Sequence, residues 1–389
     1  MTGVAEGVTA EGFRPPPYPY DRLDVVARLG ERHDGGLVDL SVGTPCDPPP
    51  PSVVEALATS GAERGYPASI GSGALRQAAT AWIERCFGVS LEPVQVAACV
   101  GTKEMVATLP QWLRLRTPGR DTVLYPAVSY PTYEMGATLA RCRAVAVPVD
   151  DRFRLDLGAV SDEDAERALV LWVNSPGNPA GQLEDLGAAA EWGRARGVPV
   201  FSDECYVEFT WDGPGSTILS TGCDGVVAVH SLSKRSNLAG LRAGFYAGDG
   251  ELVTYLSEVR KHAGFMVPGP VQAAAAAALG DQAHVDDQRR RYAGRLARFA
   301  EVLRHLGVDV ELPGGGFYLW ARAPEGGGDR SGADDDGQGP AWRFTRRLVE
   351  EGGALVSPGE FYGCPTHVRA AMVAPDDRIE LVARRLGLA

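Results

Sequence analysis

From residue 94 the chain alternates short apolar runs with segments of helical spacing. VQVAACV (94–100) leads through Gly101-Thr102-Lys103-Glu104 into a predicted helix, and DTVLYP (121–126) precedes a Tyr/Pro loop and another. ALVLWVNSP (168–176) is followed by a loop and a predicted helix over 184–196; VPVFSDECY (198–206) and GVVAVHSLS (225–233) complete the series. These runs are apolar at nearly every position rather than at alternate ones. A strand of that kind is buried on both faces, and helices between such strands predict a covered parallel sheet. Residues 94–250 therefore read as the core of an α/β domain.

The flanks follow other rhythms. Residues 1–20 are Gly/Pro-rich and read as an irregular arm. Helical spacing covers 21–33, a short strand and a Gly/Pro loop follow in LVDLSVGTPCDPPPPS, and Ser52 is placed to cap a helix at 53–60. Residues 74–87 predict a helix with Leu75, Ala78, Ala79 and Trp82 on one side. After the α/β core comes a long helical region, 251–305. DVELPGGGFYLWARA, a helix over 341–352 and HVRAAMVA then predict an α+β second domain. Between them, the acidic stretch 324–340 has no apolar anchor and reads as a flexible surface excursion.

Composition narrows the classes. A length of 389 residues suits two domains sharing a cleft, and 44% apolar with 23% charged residues is ordinary for a globular protein. A net charge of -12 argues against a nucleic-acid or anionic-membrane surface, though not against a local cationic pocket. The seven cysteines are scattered with no C-x-x-C, and no H-x-x-x-H pair occurs. Neither a disulfide framework nor a metal site is expected. The first residues lack a basic start and apolar run, and no stretch approaches 18 apolar residues, so a cytoplasmic protein is expected.

Candidate chemistry centres on residues 226–248, VVAVHSLSKRSNLAGLRAGFYAG. Of the 38 basic residues only Lys103, Lys234 and Lys261 are lysines. Unlike arginine, a neutral lysine amine can attack a carbonyl and form a Schiff base, which makes Lys234 the first candidate for covalent chemistry. Ser231, Ser233 and Arg242 lie near it in sequence, and the Gly101–Glu104 strand-to-helix turn offers backbone N–H groups to an anion. A dianion site beside such a lysine meets the needs of pyridoxal phosphate. That cofactor also requires a carboxylate at its ring nitrogen, donors for its O3′ and an aromatic on its face. Asp203, at the end of VPVFSD, can be the carboxylate. Asn174 and Tyr206 can be the donors, and Tyr130 or Tyr133 of SYPTY can be the aromatic. Each has a bland alternative: a turn residue, a helix cap, a core tyrosine. Their joint order, each at a strand end, favours the site.

The segments LSVGTPCDPPP, YPASIGSGALRQA, GTKE, SYPTYEMGA, NSPGNPAG, SDECY, SLSKRSNLAGLRAG and HVRAAMVA resemble those of the class I/II aminotransferases of pyridoxal-phosphate fold type I. VHSLSKRSNLAGLRAGF, SDECY and KHAGFMVPGPVQAA are most similar to actinobacterial N-succinyldiaminopimelate aminotransferases. The resemblance implies a mainly parallel seven-stranded sheet flanked by helices plus a smaller α+β domain. It divides the chain into an arm and part of the small domain (1–45), a large cofactor-binding domain (46–270) and a C-terminal small domain (271–389). It makes Lys234 the Schiff-base lysine and proton carrier and pairs Asp203 with the ring nitrogen. Asn174 and Tyr206 are assigned to O3′, and Tyr130 to the ring face. Thr102, Lys103, Ser231, Ser233 and Arg242 surround the phosphate, with Tyr66 reaching in from the second subunit of a homodimer. Arg369 binds the substrate α-carboxylate, with Gly43 and Asn174 beside it. Arg235 is a further candidate anchor for acidic substrates. The activity implied is amino transfer from glutamate to a keto acid such as N-succinyl-2-amino-6-oxopimelate. The same scaffold also hosts eliminations, replacements, cyclisations and C–C bond formation. A non-enzymatic regulator that senses the cofactor would need a DNA-binding domain, and residues 1–37 are too short and too weakly basic for one.

Overall fold

The structure, a computed structural model, describes residues 12–325 and 339–388. Most of the acidic stretch 324–340 lies outside the described residues.

The strands, in chain order, are β1 (Val38–Asp39), β2 (Val96–Cys99), β3 (Thr122–Pro126), β4 (Arg143–Val147), β5 (Ala168–Asn174) and β6 (Val200–Asp203). They continue with β7 (Val226–Ser231), β8 (Gly244–Gly248), β9 (Tyr318–Arg322), β10 (Ala354–Leu355), β11 (Ser357–Pro358) and β12 (His367–Ala371). Seven of them form one sheet in the order β2-β8-β7-β6-β5-β3-β4. All neighbours are parallel except β8, which runs antiparallel to both β2 and β7. This is the mainly parallel seven-stranded sheet expected, and the five apolar runs read from the sequence all lie in it.

The reason those runs are continuously apolar is visible within β5. Leu171 and Val173 enter the apolar cluster on one face of the sheet, while Val170 and Trp172 enter that on the other. The first cluster is closed by helices Pro51–Thr59, Gly73–Phe87, Leu186–Arg196 and Gly269–Gly280. The second is closed by Thr102–Arg116, Thr132–Leu139 and Gly250–His262. With both faces covered, each large aliphatic side chain contributes about 1.5–3 kcal/mol of burial, and most positions are apolar.

A separate core lies among helices Ala283–His305, Pro340–Gly352 and Asp376–Arg385 and the antiparallel sheet β11-β12-β9. The early segment joins it: β1 pairs in parallel with β10. At the start of the segment assigned to the small domain, Val271, Ala274, Ala275 and Ala278 pack in the large sheet's cluster.

One local expectation is corrected. Ser52 does not cap its helix; the helix begins at Pro51 with Pro50 as N-cap, because proline's fixed φ suits a first turn that needs no N–H. The long helical region 251–305 is helical as expected, built of three helices interrupted before Gly269 and again before Ala283. The edge strand β4, RAVAV, had no sequence signal: Val145 and Val147 pack on one face and Ala144 on the other, but each face is only partly covered, and Arg143 and Ala146 remain exposed.

Candidate active site

Parallel strands deliver their C-terminal residues to one rim. Asn174 ends β5, Asp203 ends β6 and Ser231 ends β7; Asn174 and Asp203 are direct register partners. β2 delivers Gly101, whose positive φ of 76° launches helix Thr102–Arg116. A Cβ there would lie 2.2 Å from Arg242 Nη2, so glycine lets the guanidinium sit against the turn.

A cavity of about 360 Å³ opens at this rim. Gly43, Thr102, Lys103, Tyr130, Asn174, Asp203, Tyr206, Ser231, Ser233, Lys234, Arg242 and Arg369 all line it. Tyr66 does not: it is fully exposed on the surface of this single chain.

Lys234 sits on the short helix Leu232–Arg235, capped by Ser231, whose hydroxyl accepts from Ser233 N at 3.1 Å. Its Nζ donates to the Gly43 carbonyl. Burial pushes this amine down to about 8, and the Arg369 and Arg242 guanidiniums add to the effect. A lysine so placed is partly neutral near neutral pH, as a nucleophile or proton carrier must be.

Asp203 is buried, and burial raises its carboxyl above the ordinary value; bonds from Cys205 N–H (3.2 Å) and the Tyr133 hydroxyl (2.9 Å) partly restrain it. A cation opposite would restore the carboxylate. Of the two candidate stacking tyrosines, Tyr130 lines the cavity, whereas Tyr133 is fully buried behind Asp203. Asn174 faces the cavity but gives its amide hydrogens to Pro176 O (3.2 Å) and Asp203 O (2.8 Å). Donating to a ligand would mean releasing the longer bond. The Tyr206 hydroxyl pairs with that of Tyr318 at 2.8 Å. Lys103 Nζ donates to the Tyr18 hydroxyl at 3.1 Å and lies 4.7 Å from its ring centre.

Arg369 arrives on β12 from the second core. Its guanidinium lies 4.2 Å from the Tyr318 ring centre and 4.6 Å from that of Tyr362. Nη1 donates to Asn178 Oδ1 at 2.8 Å, and Nη2 to Tyr20 OH at 3.2 Å and Ser41 O at 2.5 Å. Arg235, the other candidate anchor, is corrected: it is buried away from the cavity, paired with Glu208 and bonded to Ala278 O at 2.6 Å. The chain turns Arg235 inward because Lys234 takes the pocket side of that single helical turn.

Several residues escaped the sequence reading. Tyr18 and Tyr20 belong to an arm read as irregular, and Tyr318 and Tyr362 to the second core; no local pattern marks them. Cys205 and Asn178 lie inside quoted motifs but carried no assigned role. Cys205 Sγ donates to Thr102 Oγ1 at 3.3 Å, joining the ends of β6 and the Thr102 helix.

An anion fits the rim: a helix N-terminus whose glycine cap supplies no side chain, the Ser231 hydroxyl and Arg242 converge there. A cationic ring fits Asp203. Together these match the donor set that pyridoxal phosphate requires.

Comparison with known proteins agrees. The family model "Aminotransferase class I and II" matches residues 36–386. A probable aminotransferase of Mycobacterium tuberculosis is 43% identical, covering 95% of this chain and 85% of that protein. The 4-dedimethylamino-4-oxo-anhydrotetracycline transaminase OxyQ of Streptomyces rimosus is also 43% identical, covering 95% and 99%. Among solved structures, a probable N-succinyldiaminopimelate aminotransferase from Thermus thermophilus is 31% identical with a TM-score of 0.81, covering 96% of this chain and all of that one, 100%. The chain belongs to the class I and II aminotransferase family and is an aminotransferase, with the α/β fold of its relatives. No helix among the described residues is long and apolar enough to cross a membrane.

Proposed function

We propose that this aminotransferase uses pyridoxal phosphate held on Lys234, takes its amino group from glutamate and passes it to a keto acid in two half-reactions. The observation that carries this reading is the position of Lys234 Nζ, in one cavity with Asp203, Arg242 and Arg369. Bound there, the cofactor supplies an electron sink beside the substrate Cα. Arg242, Ser231, Ser233 and the Thr102 turn hold its phosphate, with Lys103 and Thr102 at the same end. Asp203 keeps the ring nitrogen cationic, and Asn174 and Tyr206 donate to O3′, with Tyr130 over the ring. Arg369 grips the α-carboxylate, and its two flanking tyrosines keep the guanidinium plane fixed, while Gly43, where a Cβ would lie 2.2 Å from the Tyr318 hydroxyl, lines the same pocket. Lys234, whose amine burial makes partly neutral, would hold the cofactor and carry the proton from the substrate Cα. Residues 46–270 form the cofactor-binding body in this reading, and the second core brings Arg369 to it.

For the acceptor we favour N-succinyl-2-amino-6-oxopimelate, which the likeness to the Thermus enzyme supports. A second reading, an acceptor from natural-product metabolism, is supported by the identity with the Streptomyces transaminase. The test is a spectroscopic half-reaction screen. Glutamate should convert the holoenzyme's visible band to that of the aminated cofactor, and N-succinyl-2-amino-6-oxopimelate should restore it. Restoration by polycyclic ketones alone would select the second reading, and no conversion by glutamate would exclude the donor. Lys234→Ala should lose the covalently held cofactor band; its retention would refute the assignment.

A further inference from the structure

Behind the catalytic strand ends lies a pair of groups that amino transfer does not use. Glu204 follows Asp203, and His230 precedes Ser231. Both side chains point away from the cavity into the sheet's other face. There the imidazole lies between Trp82, at 4.9 Å and edge-on, and Phe245, at 5.0 Å. Glu204 Oε1 accepts from Ile218 N at 2.8 Å. Glu204 Oε2 and both His230 ring nitrogens are buried without hydrogen-bond partners. Oε2 and Nε2 face each other at 3.6 Å.

Orphaned buried polar atoms are costly, and two that face each other are each other's available remedy. The separation exceeds a made N···O bond of about 2.7–3.2 Å by a few tenths, which a small side-chain rotation closes. Two descriptions compete: a carboxylate against an imidazolium, or a carboxylic acid donating to a neutral imidazole. In an apolar aromatic box the second avoids desolvating two charges. It also avoids a second carboxylate next to Asp203.

We propose that Glu204 and His230 share one proton as a neutral acid–imidazole pair, which positions the ends of β6 and β7 and spares Asp203 a second negative charge behind it. The two are positioning residues. They act on the reaction only through Asp203 and Ser231, and the proposal rests on the cofactor reading above. Burial, the largest influence on each group, favours the neutral form of both. Burial pushes Glu204 up to about 7; Ile218 N–H and the Thr217 and Ser202 hydroxyls work the other way, and Asp203 adds to the rise. Burial pushes His230 down to about 3, the nearby Glu204 backbone opposing and Arg235 adding. Arg235 itself is paired with Glu208.

The test begins with the cofactor-free protein, so that its failure is separable from failure of the cofactor reading. An infrared difference spectrum of wild type minus Glu204→Gln at about pH 6, below the Glu204 value, should show a protonated-carboxyl carbonyl band. Its absence would overturn the proposal. In the holoenzyme, Glu204→Gln, still a neutral donor to the imidazole, should keep the cofactor dissociation constant within about 2-fold. Glu204→Ala, which orphans the imidazole, should raise it about 10-fold or more. If Gln proves as damaging as Ala, the pair is ionic and the proposal fails; if Ala is silent, it does not position the strand ends.

Discussion

Tyr133 shows how one hydroxyl can tune a reaction it does not enter. Its ring is wholly buried, and its O–H ends on Asp203 Oδ2 at 2.9 Å. Burial is the largest influence on Asp203 and raises its pKa; the Tyr133 bond is among those that hold it down. Tyr133→Phe keeps the packing against Trp172 and removes only the donor. The Asp203 carboxyl should then titrate higher, so the acid limb of kcat/KM should move to higher pH. The loss at the low-pH end should be about 10-fold, the scale of one hydrogen bond to a charged group. An acid limb that stays in place would remove Tyr133 from the site. The same raised value fixes the sign for the cofactor-free protein. A carboxyl whose folded value lies above its unfolded 3.8 contributes stability that is present in acid and lost as pH rises through the folded value. Glu204, raised from 4.5 to about 7, acts in the same direction across that window. Thermal melts of the cofactor-free protein should therefore show stability falling between about pH 4.5 and 7 by up to about 3 kcal/mol from Glu204, for a raised group of this size. A rise over that window would contradict both assignments.

At the scale of elements, the helix Thr102–Arg116 has an uncapped glycine start, and its anchoring comes from elsewhere. Glu104, in its first turn, makes a two-pronged pair with buried Arg260 of helix Gly250–His262, at 2.7 Å on each prong, and reaches back to Val100 N at 3.3 Å. This pair sets the angle at which Thr102, Lys103 and the turn's N–H groups meet the cavity. Glu104→Gln keeps the shape but leaves a buried guanidinium unpaired, a change that costs about 3–5 kcal/mol. The melting temperature should fall, and phosphate affinity should fall further than that of Arg85→Ala, a variant remote from the turn; equal losses in the two would make Glu104 merely structural. Elements also show what local pattern can and cannot carry. β5, β6 and β7 were legible because burial on both faces makes most of their positions apolar, and their polar last residues, Asn174, Asp203 and Ser231, then stand out as functional. β4 was not legible, since a half-covered edge strand tolerates Arg143. Ser52 misled because proline at Pro51 starts a helix as well as a capping hydroxyl does. Tyr18, Tyr20 and Tyr318 reach the cavity, and Tyr362 reaches Arg369, only through tertiary contacts, and no periodicity records those.

For the whole molecule the outstanding residue is Tyr66. It stands fully exposed in a loop where Arg64 is also free of cover, although an isolated aromatic gains nothing from water. The loop is nevertheless braced. Ser69 Oγ donates to Phe265 O at 2.8 Å, and Gln272 Nε2 donates to Ala68 O at 3.3 Å and to Val267 O at 2.8 Å. A loop held this firmly has already met its ordering cost, so its projecting side chain is preorganised for a partner. We propose that this partner is a second copy, with Tyr66 donating to the cofactor phosphate across the interface. Two measurements test this together. Solution mass should be twice the 41.2 kDa of one chain. Tyr66→Phe, lacking only the hydroxyl, should leave that mass unchanged while weakening cofactor binding about 10-fold, the worth of one charge-assisted hydrogen bond. A monomeric holoenzyme with full cofactor affinity would show that one chain completes its own phosphate site. A dimer indifferent to the hydroxyl would keep the assembly and remove Tyr66 from it. Mixing Tyr66→Phe with Lys234→Ala chains adds the decisive asymmetry. If sites are shared, one site of each mixed dimer combines the intact lysine of the Tyr66→Phe chain with the intact tyrosine of the Lys234→Ala chain, and the other site carries both defects. If each chain builds its own site, every site keeps one defect. Recovery of full cofactor affinity at half the sites of the mixed dimer would therefore be the signature of a site built from two chains.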